Sequence, residues 1–160
     1  MLRPLPPSRF SSFVAAVTEA YAADNVAVGR WDAASAADMA AKEFQQLLPD
    51  GIATPDHVFY EIIDAAGSAG AGYVWFGAVQ RGVRRMAYLY QLLVLPAFRR
   101  QGKARAALMA LETIAREGGF DGLLLNVFAS NDAARALYRS AGFAVTVISM
   151  QKLWTDTPPG

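Results

Sequence analysis

The sequence predicts an α+β fold: a single mixed sheet, mostly antiparallel, flanked by helices. Two observations predict it. Between His57 and Leu95, three apolar runs are separated only by short turns, as hairpin-linked strands require. From Gln101 onward the pattern changes to helix, strand, helix, strand, so the later strands are reached through a crossover helix. The 160 residues are 54% hydrophobic and 18% charged, enough apolar surface for one sizeable core. No run of about 18 apolar residues reads as a membrane span.

The elements follow in chain order. Met1 to Leu5 is a short edge strand, closed by Pro6-Pro7. Ser8 is the expected N-cap of a helix running to about Asn25, with Phe10, Phe13, Val14, Val17 and Tyr21 at helical spacing. Gly29-Arg30-Trp31-Asp32 breaks the pattern, and a second helix is expected from about Ala33 to Leu48. His57–Ile63, Gly72–Val79 and Met86–Leu95 read as a three-stranded meander, with the small-residue stretch from Ala65 to Gly70 and the segment 80–84 as its turns. Ala104, Ala107, Leu108, Leu111, Ile114 and Ala115 form one face of a third helix. Leu123–Phe128 is apolar without alternation, as a strand covered on both faces should be. Ser130 or Asn131 caps a short helix ended by Gly142, and Phe143–Leu153 reads as a last strand. The expected organisation is one domain over residues 1–154 and a flexible tail, 155–160, carrying Pro158-Pro159.

The stretch LLVLPAFRRQGKA, Leu92 to Ala104, carries the strongest functional signal. An apolar strand is closed by Pro96, and a turn then feeds directly into a helix. The first N–H groups of that helix have no intrahelical acceptor, and its dipole adds partial positive charge. Arg99, Arg100, Lys103 and Arg105 add full charges, and Gly102 permits close approach to the backbone. Such a turn suits a pyrophosphate.

Combined with Asn131, Ala134, Leu137-Tyr138 and Gly142-Phe143 downstream, the order is V-x-P-x-x-R-x-x-G-x-A, helix, strand, N-x-x-A-x-x-L-Y-x-x-x-G-F. This resembles the GNAT family of acetyl-CoA-dependent N-acetyltransferases, over about Tyr73 to Lys152. The resemblance implies a parallel strand pair that splays apart to hold the cofactor. Leu93 and Val94 would pair with the pantetheine amides, the turn Arg99, Arg100, Gln101, Gly102, Lys103, Ala104 and Arg105 would hold the pyrophosphate, and Asn131 would touch the pantetheine region. Tyr138 would be the general acid that protonates the departing thiolate, and would also border the cofactor.

The general base is less legible. Relatives place a carboxylate near the middle of the strand before V-x-P, where this chain has Gln91 and Leu93. Glu61, Asp64 and His57 are the nearby candidates, and Glu61 is taken as the catalytic one. Trp75, Tyr88 and Tyr90 are expected to line the acceptor pocket, with Trp31 and Arg30 as a lid over it.

The implied activity is transfer of an acetyl group from acetyl-CoA directly to a primary amine on a small molecule or peptide, by a monomer or homodimer. The other reading is a coenzyme A-binding regulatory or scaffold protein of the same fold with little turnover. With no cysteine, a thiol nucleophile and thiolate metal sites are excluded, and no metal is expected. A formal net charge of +1 gives no electrostatic argument for nucleic acid or membrane partners. The N-terminus lacks a signal-peptide apolar core, so the expected location is the cytoplasm.

Overall fold

The computed structural model describes residues 1–64, 70–152 and 154. Five strands form one sheet in the order β1-β2-β3-β4-β5: β1 Leu2–Pro4, β2 His57–Ile63, β3 Gly70–Arg81, β4 Arg84–Val94 and β5 Gly122–Leu125. The first four pair antiparallel, and β5 joins β4 in parallel. The helices are α1 Phe10–Ala27, α2 Ala36–Leu47, α3 Lys103–Glu117 and α4 Asp132–Ser140.

The sheet separates two apolar layers, and strand alternation decides which residue enters which. On one face Phe13 and Val17 of α1 and Phe44 of α2 meet Phe59, Tyr73 and Trp75. On the other, Ala107, Leu108, Leu111 and Ala115 of α3 meet Val74, Phe76, Ala87 and Leu89. The helical periodicity read from the sequence is thus the α3 contact face. At Gly72 the two central strands come so close that a Cβ would lie 2.0 Å from the Leu93 carbonyl oxygen. Only glycine permits that approach, and it fixes β4 just before the basic turn.

A bulge interrupts the β3–β4 ladder. Trp75 pairs with Gln91 and Phe76 with Leu89, leaving Tyr90 without a partner on β3. One extra residue changes the parity of β4: Ala87 and Leu89 face α3 before it, Leu92 and Val94 after it.

Several element limits differ from the sequence reading. Ser8 lies in a 3₁₀ turn, Pro7–Arg9, and gives no side-chain cap; α1 begins two residues later. Helix α2 starts at Ala36 because Asp32 Oδ1 accepts from Ala34 N–H and Ser35 N–H, at 3.0 and 3.1 Å, and holds a turn there. Strand β5 ends at Leu125 rather than Phe128. The last expected strand, Phe143–Leu153, is not one over its described residues, 143–152. Phe143 packs at the edge of the α3-side layer, but Val145, Val147, Ile148 and Met150 beyond it are all exposed. Leu153, the tail 155–160 and the turn 65–69 lie outside the described residues.

Glu61 on β2 is completely buried. Arg3 of β1 donates to its Oε2 at 2.7 Å, and Arg9 Nε lies 2.8 Å from Oε1, without the alignment of a hydrogen bond. The two guanidinium groups compensate a carboxylate that would otherwise be costly to bury. They also tie β1 and the start of α1 to the sheet. Because both arginines remain partly exposed, Glu61→Gln should lower the unfolding free energy by about 1–3 kcal/mol. Urea denaturation reads this directly, and an unchanged midpoint would show that the pairing contributes nothing to stability.

Candidate active site

The parallel ladder between β4 and β5 holds only from Met86–Gly122 to Leu89–Leu125. Beyond it, Tyr90–Val94 of β4 pair with nothing on the β5 side, because the chain leaves the sheet at Asn126. Apart from the Val94 carbonyl, which accepts from Arg99, backbone groups facing that edge are left for another partner among the described residues. The gap opens where β4 ends, next to the basic turn.

In that turn Pro96–Phe98 makes a 3₁₀ step, and Arg100 and Gly102 both take left-handed backbone angles, φ 60° and 73°. Gly102 precedes α3 and provides no side-chain cap. A Cβ there would meet nothing within 4 Å, so the glycine serves the backbone conformation and the space beside it is open. Arg99 Nε donates to the Val94 carbonyl at 3.1 Å, and the Gln101 amide donates to the Ala97 carbonyl at 3.2 Å. These bonds close the turn on itself. Arg105 reaches Ser140 Oγ at 2.6 Å and links α3 to α4. Arg100 has no hydrogen bond or ion pair among the described residues. Leu93 and Val94 end β4 on opposite faces.

Asn131 is the N-cap of α4, its Oδ1 accepting from Ala134 N–H at 3.1 Å. Tyr138 lies further along α4, packed at the edge of the α3-side layer with its ring 5.5 Å from Phe143. Burial raises its pKa above the ordinary phenol value, which keeps the hydroxyl protonated. Burial does the same for Tyr88 and Tyr90, so this property alone does not single out Tyr138.

On the opposite face, a cavity of about 370 Å³ opens beside the gap. Its floor is Trp75, Tyr88 and Tyr90, and Gln91 reaches it from the bulge. Tyr90 stacks on Trp75 with centroids 4.5 Å apart, and Tyr88 meets Tyr90 edge-on at 4.6 Å. The chain leaving β5, Asn126 to Phe128, forms one wall. Tyr21 and Arg30, from α1 and its following loop, and Glu43 of α2 form another. The three aromatic residues expected at an acceptor pocket are therefore together. Trp31 is not in the lining: it is buried behind Tyr21, their rings edge-on at 5.3 Å. Tyr138 and Asn131 are not in it either. A larger hollow of about 560 Å³ lies between α1 and α2, away from the gap, with Glu19 its one charged lining residue.

Glu43 and Tyr21 were missed because they lie at the start of the chain, far in sequence from the motif. Asn126 was missed because it was assigned to a strand. No sequence signal separates Glu43 from an ordinary solvent-facing helix carboxylate.

Glu61 is on the same face of β2 as Phe59, but it is enclosed by Arg3 and Arg9 and takes no part in the cavity lining. Both of its oxygens already face arginine side chains.

The model of the acetyltransferase (GNAT) family matches residues 23–143. The chain belongs to the GNAT acetyltransferase family. Two Bacillus subtilis relatives bear the description uncharacterized N-acetyltransferase. This chain is 33% identical to one of them, YycN, over 95% of its own length and 97% of YycN. It is 30% identical to YdgE, over 94% and 96% of the two chains. The crystal structure of YycN superposes with a TM-score of 0.90 at 32% identity, over 98% of this chain and 99% of that one. A Pyrococcus furiosus structure that bears the description putative acetyl transferase has a TM-score of 0.73 at 20% identity, over 96% and 99%, a likeness of fold. GNAT membership thus accounts for the mixed sheet and its parallel β4–β5 pair. No helix among the described residues is long and apolar enough to cross a membrane. No cluster of three or more metal-ligating side chains occurs among the described residues.

His57, the one histidine in the chain, is held beneath the aromatic floor. Trp75 Nε1–H donates to its Nδ1 at 2.9 Å, and its ring lies 5.1 Å from Tyr90. Burial lowers its pKa against a weaker opposing pull from Asp56. The folded state therefore binds that proton less readily than the unfolded state, whose histidine titrates near about 6.5. The stability this gives is present above that pH and lost as pH falls through it. Thermal melts from about pH 7.5 to about 5.5 should show a declining midpoint, and the decline should shrink in His57→Gln. An equal decline in the variant would trace the effect to other groups.

Proposed function

We propose that this GNAT member transfers an acetyl group from acetyl-CoA to a primary amine, in the gap between β4 and β5. The observation that carries this reading is the end of the ladder at Leu89–Leu125, with the basic turn at its mouth. The free edge of Tyr90–Val94 offers hydrogen-bonding groups to the pantetheine amides. The N–H groups opening α3, together with Arg100 and Lys103, suit a pyrophosphate. The acetyl-thioester end then reaches the aromatic cavity, where the acceptor waits.

The acceptor must present a free lone pair. The amine nitrogen forms the new C–N bond, the thioester carbonyl carries the developing negative charge, and an N–H of the β4 edge near Val94 stabilises it. The C–S bond then breaks with its electron pair on sulfur. Tyr138 gives that sulfur its proton and recovers one from solvent; the nitrogen's surplus proton leaves to solvent. No covalent enzyme intermediate is involved.

Acetyl-CoA should raise the melting temperature, since a ligand selective for the native state stabilises it by mass action. Arg100→Glu, at a side chain with no hydrogen bond or ion pair among the described residues, should sharply reduce that rise without changing the ligand-free melt. A rise of wild-type size would remove the turn from the cofactor site.

Tyr138→Phe keeps the ring and removes the hydroxyl. Thiol release with an accepted amine should fall roughly 10- to 1000-fold in kcat, with the acetyl-CoA KM little changed. Undiminished turnover would leave Tyr138 as a packing residue and direct the search for the acid elsewhere along the gap.

A further inference from the structure

The wall of the cavity opposite its aromatic floor carries two opposite charges that do not neutralise each other. Glu43 Oε2 accepts from the Tyr21 hydroxyl at 2.8 Å, which orients the carboxylate. Its Oε1 has no partner among the described residues, and Glu43 makes no ion pair there. Arg30 donates one N–H to Asn25 Oδ1 at 3.2 Å and lies 5.7 Å above the Trp31 ring. It too makes no ion pair among the described residues, and its other N–H groups remain available. Buried Asn25 is itself fixed by donating to the Tyr21 carbonyl at 2.8 Å, so Arg30, Asn25, Tyr21 and Glu43 form one connected set. Burial and the neighbouring Glu43 raise the Tyr21 pKa, so its hydroxyl stays a donor.

We propose that Glu43 receives the amine and Arg30 the carboxylate of a single acceptor, which is a free amino acid with an apolar or aromatic side chain. This inference rests on the acyl-transfer reading above and names its substrate class. A carboxylate held by one hydrogen bond, with its second oxygen open, accepts the N–H of an amine. A guanidinium with free N–H groups matches a carboxylate in a fork geometry. The floor of Trp75, Tyr88 and Tyr90 gives an apolar side chain flat surface to cover. The volume, about 370 Å³, is at the small end of the roughly 300–1,000 Å³ typical of small-molecule sites, and suits one small molecule. A polyamine, with two cations and no anion, would leave Arg30 facing like charge. A lysine in a protein chain would bring no carboxylate to Arg30.

The test measures binding, so that it does not depend on turnover. The full chain is saturated with coenzyme A and titrated calorimetrically with L-phenylalanine and L-leucine. Each is compared with the amine that lacks its carboxylate, phenethylamine or isopentylamine. At least one amino acid should bind roughly tenfold or more tightly than its partner amine, the range of a hydrogen-bonded charge. Arg30→Gln should collapse that ratio toward one, and any intrinsic difference between the two ligands cancels in the comparison. Glu43→Gln should weaken both ligands of the pair, with coenzyme A affinity unchanged as the control for folding. The proposal is overturned if neither amino acid binds, if the amines bind equally well, or if the ratio survives Arg30→Gln. Thiol release is then measured separately with acetyl-CoA and the same ligands. Binding as expected without thiol release would leave the charged pair standing and sink the acetyl-transfer reading instead.

Discussion

The parallel pairing of β4 and β5 stops at Leu89–Leu125, and the open edge of β4 and the aromatic cavity lie just beyond that point. A strand pair that continued past Leu89–Leu125 would satisfy its own backbone groups and leave no room for a ligand. Here β5 ends, the chain turns away at Asn126, and five residues of β4 from Tyr90 to Val94 keep an open edge. The bulge at Tyr90 lies at the same level. It turns Tyr90 onto the Trp75 ring and sets the parity that sends Leu92 and Val94 into the opposite layer. The gap left where β5 ends and the aromatic cavity shaped by the β4 bulge thus lie side by side, and the basic turn follows where β4 ends.

Polar groups around this gap divide into those already committed and those still open. Glu61 is spent on Arg3 and Arg9, and the His57 Nδ1 lone pair on Trp75. Both hold the sheet and its aromatic layer in position. Glu43, Arg30 and Arg100 retain hydrogen-bonding capacity, and the first two share a cavity. The Glu61 carboxylate, closer in sequence to the motif, is therefore structural, whereas the one on α2 lines the aromatic cavity. GNAT membership explains the frame; the polar groups on the outer wall of the cavity come from α1, α2 and the loop between them.

Much of the fold was legible because its signals are local. The apolar run HVFYEII gave β2 to the residue, the α3 stripe predicted its contact face, and Asn131, one of two expected caps, is the cap. The basic turn could be read because proline, glycine and arginine each have a short-range meaning. Boundaries failed where a side chain made a turn that propensity does not weigh, as at Asp32, or where apolar content outlasted the strand, as at Val127 and Phe128. The segment 143–152 failed for a related reason: alternating apolar residues predict a strand only if a neighbour offers a ladder. Trp75, Tyr88 and Tyr90 could be grouped because they share one hairpin. Glu43 and Tyr21 could not, since their meeting with that hairpin depends on how α1 and α2 lie on the sheet. Glu61 looked chemical because its burial and its two arginines are tertiary facts.

The most direct test is amide hydrogen exchange with and without acetyl-CoA. If the open edge of β4 and the turn opening α3 hold the cofactor, protection on binding should concentrate in Tyr90–Val94 and in residues 100–105, with β1 and β2 unaffected. Exchange in those two segments that is indifferent to acetyl-CoA, with protection appearing instead in the hollow between α1 and α2, would contradict the placement of the site.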